Sequence, residues 1–507
     1  MSRAAGAARG RLKARALRAL ADLDAATLGA ARWTGLAGTS SSAGAGAGPA
    51  PAPRPDAAPA AESAGVHLIE AFEFDDGGAI AIVGLGLAPG PEAGNLADQT
   101  VRLTVPLTGP APWAGLHRLA RGGGSVAGLM GGRLTGQPGR TALDRRPEEG
   151  LRRDSDEGIS TRVSPGDQSH TSVIIDERSM LKLYRRLAPG TNPEAEVLAA
   201  LDAIGDAPVP AWIGAVEYIG REGSASTTIA IEQGYIAGSD DAFEALADEI
   251  ATWLVGSGPR AATEVIVATG RATAALHLAM ASISSPVAEA TGDAPTGTGR
   301  RIWLQAAEHT LDEAIAALGT GDPAFAAHVT DAAPAIRRAL AELGDPAIGV
   351  TVQRIHGDLH LGQVLRSRDG VVIVDFEGDP ARDPLTRREP GPRLRDIAAF
   401  LRSIDHVARS GRRRSVALGA KAIDPTLDAS IDHWIEGARE AFVAGYRAGL
   451  GEPDWLPDRA LLRALEMEKE LGELVYASRF LPAWLYAPRA GLEALLDRDL
   501  SSELGRR

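Results

Sequence analysis

Gln353-Arg354-Ile355-His356-Gly357-Asp358-Leu359-His360-Leu361-Gly362-Gln363-Val364-Leu365 runs, after a polar turn, into Val371 to Val374 and then Asp375-Phe376-Glu377. Short β-branched runs around a polar loop read as strands rather than helix. A hairpin from Val364 to Val374 folds the chain back and brings Asp358 and Asp375 to one end. Paired carboxylates of this kind suit phosphoryl transfer, which needs one group to orient an attacking hydroxyl and accept its proton, and metal ions to neutralise phosphate charge. Asp358 fits the first task and Asp375 the second, with the amide oxygen of Gln363 as a further ligand to a magnesium ion. Either aspartate alone reads as an ordinary turn residue. A rival reading makes His356, Asp358 and His360 ligands of a hydrolytic zinc site, but no second His-rich cluster completes it.

The loop resembles that of the aminoglycoside phosphotransferase-like kinases, in which His-x-Asp-x-x-x-x-Asn precedes a short hairpin and a metal-binding Asp. Gln363 stands where Asn is commoner, and it offers the same carbonyl on a longer arm. The form His356 to Leu365, followed by Asp375-Phe376-Glu377-Gly378-Asp379-Pro380, looks like the branch that contains maltokinases and bacterial glucosamine kinases. The resemblance implies an α+β, protein-kinase-like bilobal fold, with a β-rich N-lobe and an α-helical C-lobe after a β-rich N-terminal cap. It also implies ATP and Mg2+ as cofactors, Asp358 as the catalytic residue, and Gln363 and Asp375 as metal ligands. By the same resemblance His356 braces the loop, while His360 either braces it or faces the acceptor. Arg395 and Asp396, in Arg395-Asp396-Ile397-Ala398, brace the catalytic region.

At 507 residues the chain exceeds one ordinary hydrophobic core. Its 44% hydrophobic and 23% charged residues are those of a soluble protein, and no apolar run approaches the roughly 18 residues of a membrane span. A net charge of -13 argues against a general nucleic-acid binder, which needs clustered Lys and Arg. The absence of cysteine excludes disulfides and thiolate chemistry and agrees with a cytoplasmic location. Met1 to Leu23 is Ala- and Arg-rich without a continuous apolar core, so it reads as a helical tail rather than a secretory signal.

Residues 35–65 are almost entirely Ala, Gly, Ser and Pro and read as a flexible insertion. Strands follow at Val66 to Phe74, Ala79 to Leu87 and Val101 to Leu107, and the stretch from Arg121 to Asp156 lacks periodicity and reads as loops or a linker. Further strands are expected at Thr171 to Asp176, Met180 to Tyr184, Ala211 to Ile219 and Thr227 to Glu232, with a helix from Pro193 to Ile204. Beyond Gly238 the chain is helical nearly to its end. The expected division is a cap-like domain over 1–125, a linker and N-lobe over 126–235, and a C-lobe over 236–507. Ala31-Arg32-Trp33 and Val105-Pro106-Leu107 resemble the cap of maltokinase-like proteins.

An ATP site needs donors near the phosphates and a lysine for their charge. The turn Ser164 to Ser172, with Ser169, is a candidate phosphate cap, although such a turn alone reads as a polar hairpin. Lys182 lies among apolar residues, where an unpaired ammonium is costly unless it meets phosphate or carboxylate. The pattern Asn192-Pro193-x-x-Glu196, as in maltokinase-like proteins, favours Glu196 as its partner, with Glu194 as the fallback. Gln233 and Tyr235 fall where the related fold has the hinge whose backbone pairs with adenine.

At the other end, Glu473 and Trp484 supply the carboxylate and aromatic face that commonly hold a sugar, although the pair also reads as a solvated helix position and a core residue. The acceptor implied is a small sugar, with Asp358 and His360 also on its side. Glucosamine phosphorylated at its 6-hydroxyl stands first, then maltose at its anomeric hydroxyl, then an aminoglycoside. A catalytically silent nucleotide-binding protein is the alternative of another class, and the presence of Lys182, Asp358 and Asp375 in order argues against it. Oligomeric state is left open.

Overall fold

The computed structural model describes Leu12 and residues 66–75, 78–85, 101–106, 112–140, 159–164, 170–221, 226–283, 297–345, 350, 352–379, 382 and 386–504. Leu12 apart, the readings placed on 1–65, and those on 141–156 and on Ser169, lie outside the described residues. The chain divides into two compact units, Met1–Ala203 with Pro210–Ala237, and Ile204–Val209 with Gly238–Arg507.

In the first unit the strands are β1 (Val66–Glu73), β2 (Ala79–Leu85), β3 (Val101–Pro106), β4 (Ser125–Ala127), β5 (Arg133–Pro138) and β6 (Thr161–Val163). They continue with β7 (His170–Ile175), β8 (Ser179–Tyr184), β9 (Arg186–Leu187), β10 (Trp212–Ile219) and β11 (Thr227–Gly234). Two helices accompany them, α1 (Trp113–Gly122) and α2 (Pro193–Ile204). A four-stranded sheet runs β1-β2-β3-β9 and a seven-stranded sheet runs β4-β5-β10-β11-β8-β7-β6. The β7–β8 hairpin forms because Val173, Ile174, Ile175, Leu181 and Leu183 are buried, while Asp176 and Glu177 turn the chain at φ 52° each.

The stretch from Arg121 onward, expected as loops, instead contributes β4 and β5 to the seven-stranded sheet. Its glycines serve close packing. A Cβ on Gly136 of β5 would run into the Leu119 carbonyl of α1, and one on Gly214 of β10 into that of Ala120. Because α1 lies on β5 and β10, and β9 completes the first sheet, packing runs across the boundary expected at 125/126. Gly136→Ala is expected to cost about 1–3 kcal/mol, read from the denaturation midpoint of the full chain. An unchanged midpoint would mean that helix and sheet do not need this approach.

α1 is also tied to the sheet through Glu232 of β11, a fully buried carboxylate. His117 Nδ1 lies 2.9 Å from its Oε2, and Arg121 Nε donates to its Oε1 at 3.2 Å.

The second unit is mainly helical: α3 (Ala242–Leu254), α4 (Glu264–Met280), α5 (Gly297–Gly321), α6 (Pro323–Leu340), α7 (Arg393–Ala417), α8 (Pro425–Leu450), α9 (Arg459–Phe480) and α10 (Tyr486–Leu504). Short strands lie between α6 and α7, and β12 (Asp240–Asp241), just before α3, pairs with one of them, β14 (Val364–Ser367), which pairs with β15 (Gly370–Ile373). A second pair joins β13 (Val352–Gln353) to β16 (Gly391–Pro392). The core of this unit is mainly aliphatic and includes aromatic pairs, with Phe400 of α7 stacked on Phe442 of α8 at 4.3 Å between ring centroids. Among the described residues no helix is long and apolar enough to cross a membrane.

Candidate active site

In the first unit Lys182 is buried on β8, and its ammonium donates to Glu194 Oε1 at 2.6 Å. The Tyr184 hydroxyl donates to the other oxygen at 3.1 Å. Glu194 is held in turn by its place on α2, where its backbone N–H donates to Asn192 Oδ1 at 2.7 Å, as at a helix N-cap. The Asn192 N–H donates to Thr228 Oγ1 at 2.8 Å, and that hydroxyl donates to Glu217 Oε1 at 2.7 Å, which fastens the helix start to β10 and β11.

The partner of Lys182 is therefore Glu194, not Glu196. On a helix of 3.6 residues per turn, Glu194 shares a face with Val197, Leu198 and Leu201, all buried, whereas two residues further on the chain has turned about 200° away. That apolar stripe was the signal available in the sequence. Glu194→Gln is expected to lower turnover with nucleotide by about tenfold or more, because it weakens the ion pair that fixes Lys182. Glu196→Gln is expected to leave turnover within about twofold, and the reverse order in initial-rate assays would restore the first assignment.

The hinge expectation also changes. β11 runs on to Gly234, whose N–H donates to the Ala211 carbonyl at 2.8 Å, while that of Tyr235 donates to the Arg178 carbonyl at 2.9 Å. The Tyr235 amide is thus committed to the protein and is not a free donor. Gln233 is buried on this strand, and its side-chain Oε1 has no hydrogen-bond partner in the structure.

In the second unit the catalytic loop is clamped from beneath. Asp396 of α7, fully buried, accepts from the His356 N–H at 2.8 Å and the Gly357 N–H at 2.9 Å. His277 of α4 lies 2.9 Å from the same carboxylate through Nε2, and 2.9 Å from the Tyr446 hydroxyl of α8 through Nδ1. A carboxylate only accepts, so Nε2 carries the hydrogen and the tyrosine donates to Nδ1. Gly357 sits at φ 86°, a conformation that favours glycine, and this turn lets both amides point at one carboxylate. Arg395, read with Asp396 as a structural residue, binds Glu468 of α9 at 2.7 Å.

His356 uses both ring nitrogens inside the protein: Nε2 donates to the Val374 carbonyl at 3.1 Å, and Nδ1 lies 3.4 Å from the Asp358 N–H. Neither is left for a metal, which removes His356 from the zinc reading. Among the described residues no group of three His, Cys, Asp or Glu is arranged to hold a metal ion. His360 accepts the Gly362 N–H on Nδ1 at 3.1 Å, so it braces the turn Leu361–Gln363. Burial holds its imidazole below the usual histidine range despite the nearby Asp358.

Asp375 follows β15 at φ 68°, a strained conformation for a non-glycine residue that turns its carboxylate back to the loop. Its Oδ2 lies 3.1 Å from Gln363 Nε2, while its Oδ1 is buried without a hydrogen-bond partner. An unpaired buried carboxylate oxygen beside an amide fits a divalent cation, which takes one or two protein ligands and completes its shell from phosphates and water.

Asp358 is approached by a residue the sequence reading missed. Lys469 of α9 donates to Asp358 Oδ1 at 3.0 Å and stands 3.0 Å from Oε1 of Glu473, one turn along the same helix. Burial opposes ionisation of Asp358, but the Lys469 ammonium outweighs it and holds the carboxyl below its usual range. Glu473 behaves likewise: burial raises it, and Lys469 then brings it below the ordinary value. Glu473 also interacts with the charge of His406, whose ring meets Trp484 edge-on at 5.9 Å and whose Nε2 lies 3.0 Å from Glu470 Oε1. Phe243 and Tyr486 flank the indole at 5.8 and 5.6 Å. Asp358, His360, Glu473 and Trp484 thus belong to one connected cluster within the second unit.

A β-rich unit with a buried Lys–Glu pair and a helical unit with a clamped Asp loop followed by a second Asp define a bilobal, protein-kinase-like phosphotransferase. Residues 161–461 match the model of the phosphotransferase enzyme family, APH, and the chain belongs to that family. It is 31% identical over 350 residues to a glucosamine kinase of Mycolicibacterium smegmatis, covering 66% of this chain and 79% of that one. A glucosamine kinase of Streptacidiphilus jiangxiensis is 30% identical over 343 residues, covering 66% and 73% respectively. A solved glucosamine kinase in complex with glucosamine, ADP and inorganic phosphate superposes with a TM-score of 0.64 at 27% identity, covering 86% of this chain and 96% of that chain.

Proposed function

We propose that this chain is an ATP-dependent sugar kinase whose acceptor is glucosamine, phosphorylated on its 6-hydroxyl. The observation that carries the reading is the cluster in the second unit, where the clamped Asp358 is joined through Lys469 and Glu473 to His406 and Trp484. Carboxylates beside an aromatic face suit a polyhydroxylated ring, and the similarity to glucosamine kinases supports an aminosugar.

Lys469 occupies Asp358 Oδ1, and His360 Nε2 stands 3.9 Å from Oδ2, too far for a hydrogen bond, so Oδ2 is the oxygen left to receive the acceptor. Asp358 orients the acceptor hydroxyl and takes its proton as the new O–P bond forms and the bond from the γ-phosphorus to the nucleotide's bridging oxygen breaks, releasing ADP. Asp375 and Gln363 are the residues that would hold magnesium, with the amide of Gln363 turned to present its oxygen. Held there, the ion would supply positive charge against the phosphates. Lys182, fixed by Glu194, offers its ammonium to nucleotide phosphate.

The test is purified protein with ATP, with and without magnesium, against glucosamine, glucose, maltose and an aminoglycoside, scoring ADP release and the phosphorylated product. Glucosamine 6-phosphate formed only with magnesium is the expected result. Maltose 1-phosphate would move the acceptor to the disaccharide, and ATP binding without any product would favour a non-catalytic role.

A further inference from the structure

Lys469 stands in a place the transfer reaction alone does not explain. Its side chain, about one quarter exposed, takes one oxygen from each of two carboxylates, Asp358 Oδ1 and Glu473 Oε1, both at 3.0 Å. An i,i+4 Lys–Glu pair on an exposed helix is worth only a few tenths of a kcal/mol and specifies little. Here the same ammonium reaches across to a loop 111 residues away in sequence, and the two carboxylates it joins are those on the acceptor side. Geometrically it is a bracket, for with one oxygen of each carboxylate engaged, the other oxygen of each has a set direction. Electrostatically it leaves the pair with one net negative charge instead of two.

We infer that Lys469 is a positioning and specificity residue, clamping Asp358 and Glu473 so that their second oxygens face the acceptor and limiting the pull that the pocket exerts on a cationic amine. This deepens the kinase reading and rests on it for the identity of the acceptor. The ammonium is kept charged by its surroundings: burial works against it, but Asp358, Glu473 and Asp379 together hold it well above the ordinary lysine range. Asp379 is itself answered by Arg382, 3.8 Å away, which also faces Glu468 at 3.8 Å. The other titratable groups bearing on Asp358 are His356 and His360 of its own loop; His360 also feels Glu473, and in turn acts on Asp241 at the start of α3.

Lys469→Met should separate positioning from simple packing. Loss of the clamp is expected to lower kcat about a hundredfold, since a displaced general base costs rate out of proportion to the displacement. The second carboxylate charge is at the same time unmasked, so KM for glucosamine should fall relative to KM for glucose. Without the ammonium, only the two loop histidines, His356 and His360, still oppose burial at Asp358, and its pKa rises. The base must be ionised to work, so the acid limb of kcat/KM should move to higher pH. Lys469→Arg, which keeps the charge, should restore the acid limb and much of kcat. A Lys469→Met enzyme with the parent acid limb and the parent preference between amine and neutral sugar would overturn the inference.

The clamp can also be read without turnover, by NMR titration of carboxyl-labelled aspartate with Asp358→Asn as the assignment control. If Asp358 titrates alike with and without Lys469, the clamp is refuted whatever the rates. If it titrates differently while the parent enzyme phosphorylates no acceptor, the clamp stands and the kinase reading falls.

Discussion

Asp358→Asn is expected to keep the fold and to lose acceptor-dependent transfer by about 10²–10⁴-fold, the usual contribution of a positioned general base. Asn retains the shape and still offers an oxygen to Lys469, but it cannot take the acceptor's proton. The substitution removes one of the two carboxylates in direct contact with that ammonium, and Glu473, at 3.0 Å, remains. Nucleotide binding should survive, because Lys182 and Glu194 belong to the other unit. Initial rates of ADP release with and without sugar, with circular dichroism as the folding control, give the answer. Turnover within tenfold of the parent would mean that Asp358 orients the hydroxyl without accepting its proton.

The largest effect on stability is expected from Asp396→Ala. Three donors, the His356 and Gly357 amides and His277 Nε2, converge on this fully buried carboxylate. Removing it leaves them without partners in a dry site, at an expected cost of about 3–5 kcal/mol. Its pH dependence has a definite sign. Burial resists ionisation, but the His277 hydrogen bond, the nearby imidazoles of His277 and His356, and the Gly357 amide outweigh it, so the folded pKa lies below the unfolded value. The stabilisation is therefore full above roughly pH 4 and lost as pH falls through the lower folded value. Thermal melts should show the parent losing stability on acidification, and Asp396→Ala should be less stable at neutral pH with a flatter acid profile. Equal melting temperatures at pH 7 would show that the loop does not depend on this clamp.

The parts of this molecule that were legible in the sequence are those whose cause is local. β7 and β8 follow from two apolar runs about a tight turn, α2 from its Asn-Pro start, and the order of Lys182, Asp358, Gln363 and Asp375 from a spaced motif. What was missed has a cause elsewhere in the chain. β4 and β5 looked like a loop because Gly136 inside β5, and Gly128 and Gly132 in the turn between the two, argue against strands on their own, and only the close approach of other groups gives those glycines a reason. Lys469 carries no signal of its own, since nothing near it in sequence announces Asp358. Glu196 was preferred over Glu194 by motif, although the apolar stripe of α2 already selected the latter. A pattern states which residue types are required, and the helical period states which of them can face the sheet.

Glu232 bears on where this protein can be cut. The family match begins at residue 161, yet the imidazole and guanidinium that meet its buried carboxylate come from His117 and Arg121, and the strand beside β10 is β5. A chain trimmed to the match would bare the edge of β10 and strand a carboxylate in the interior. The stretch that the family model matches is therefore shorter than the stretch that packs together: a fragment meant to fold by itself is expected to need residues from before Trp113, even though the chemistry is written downstream.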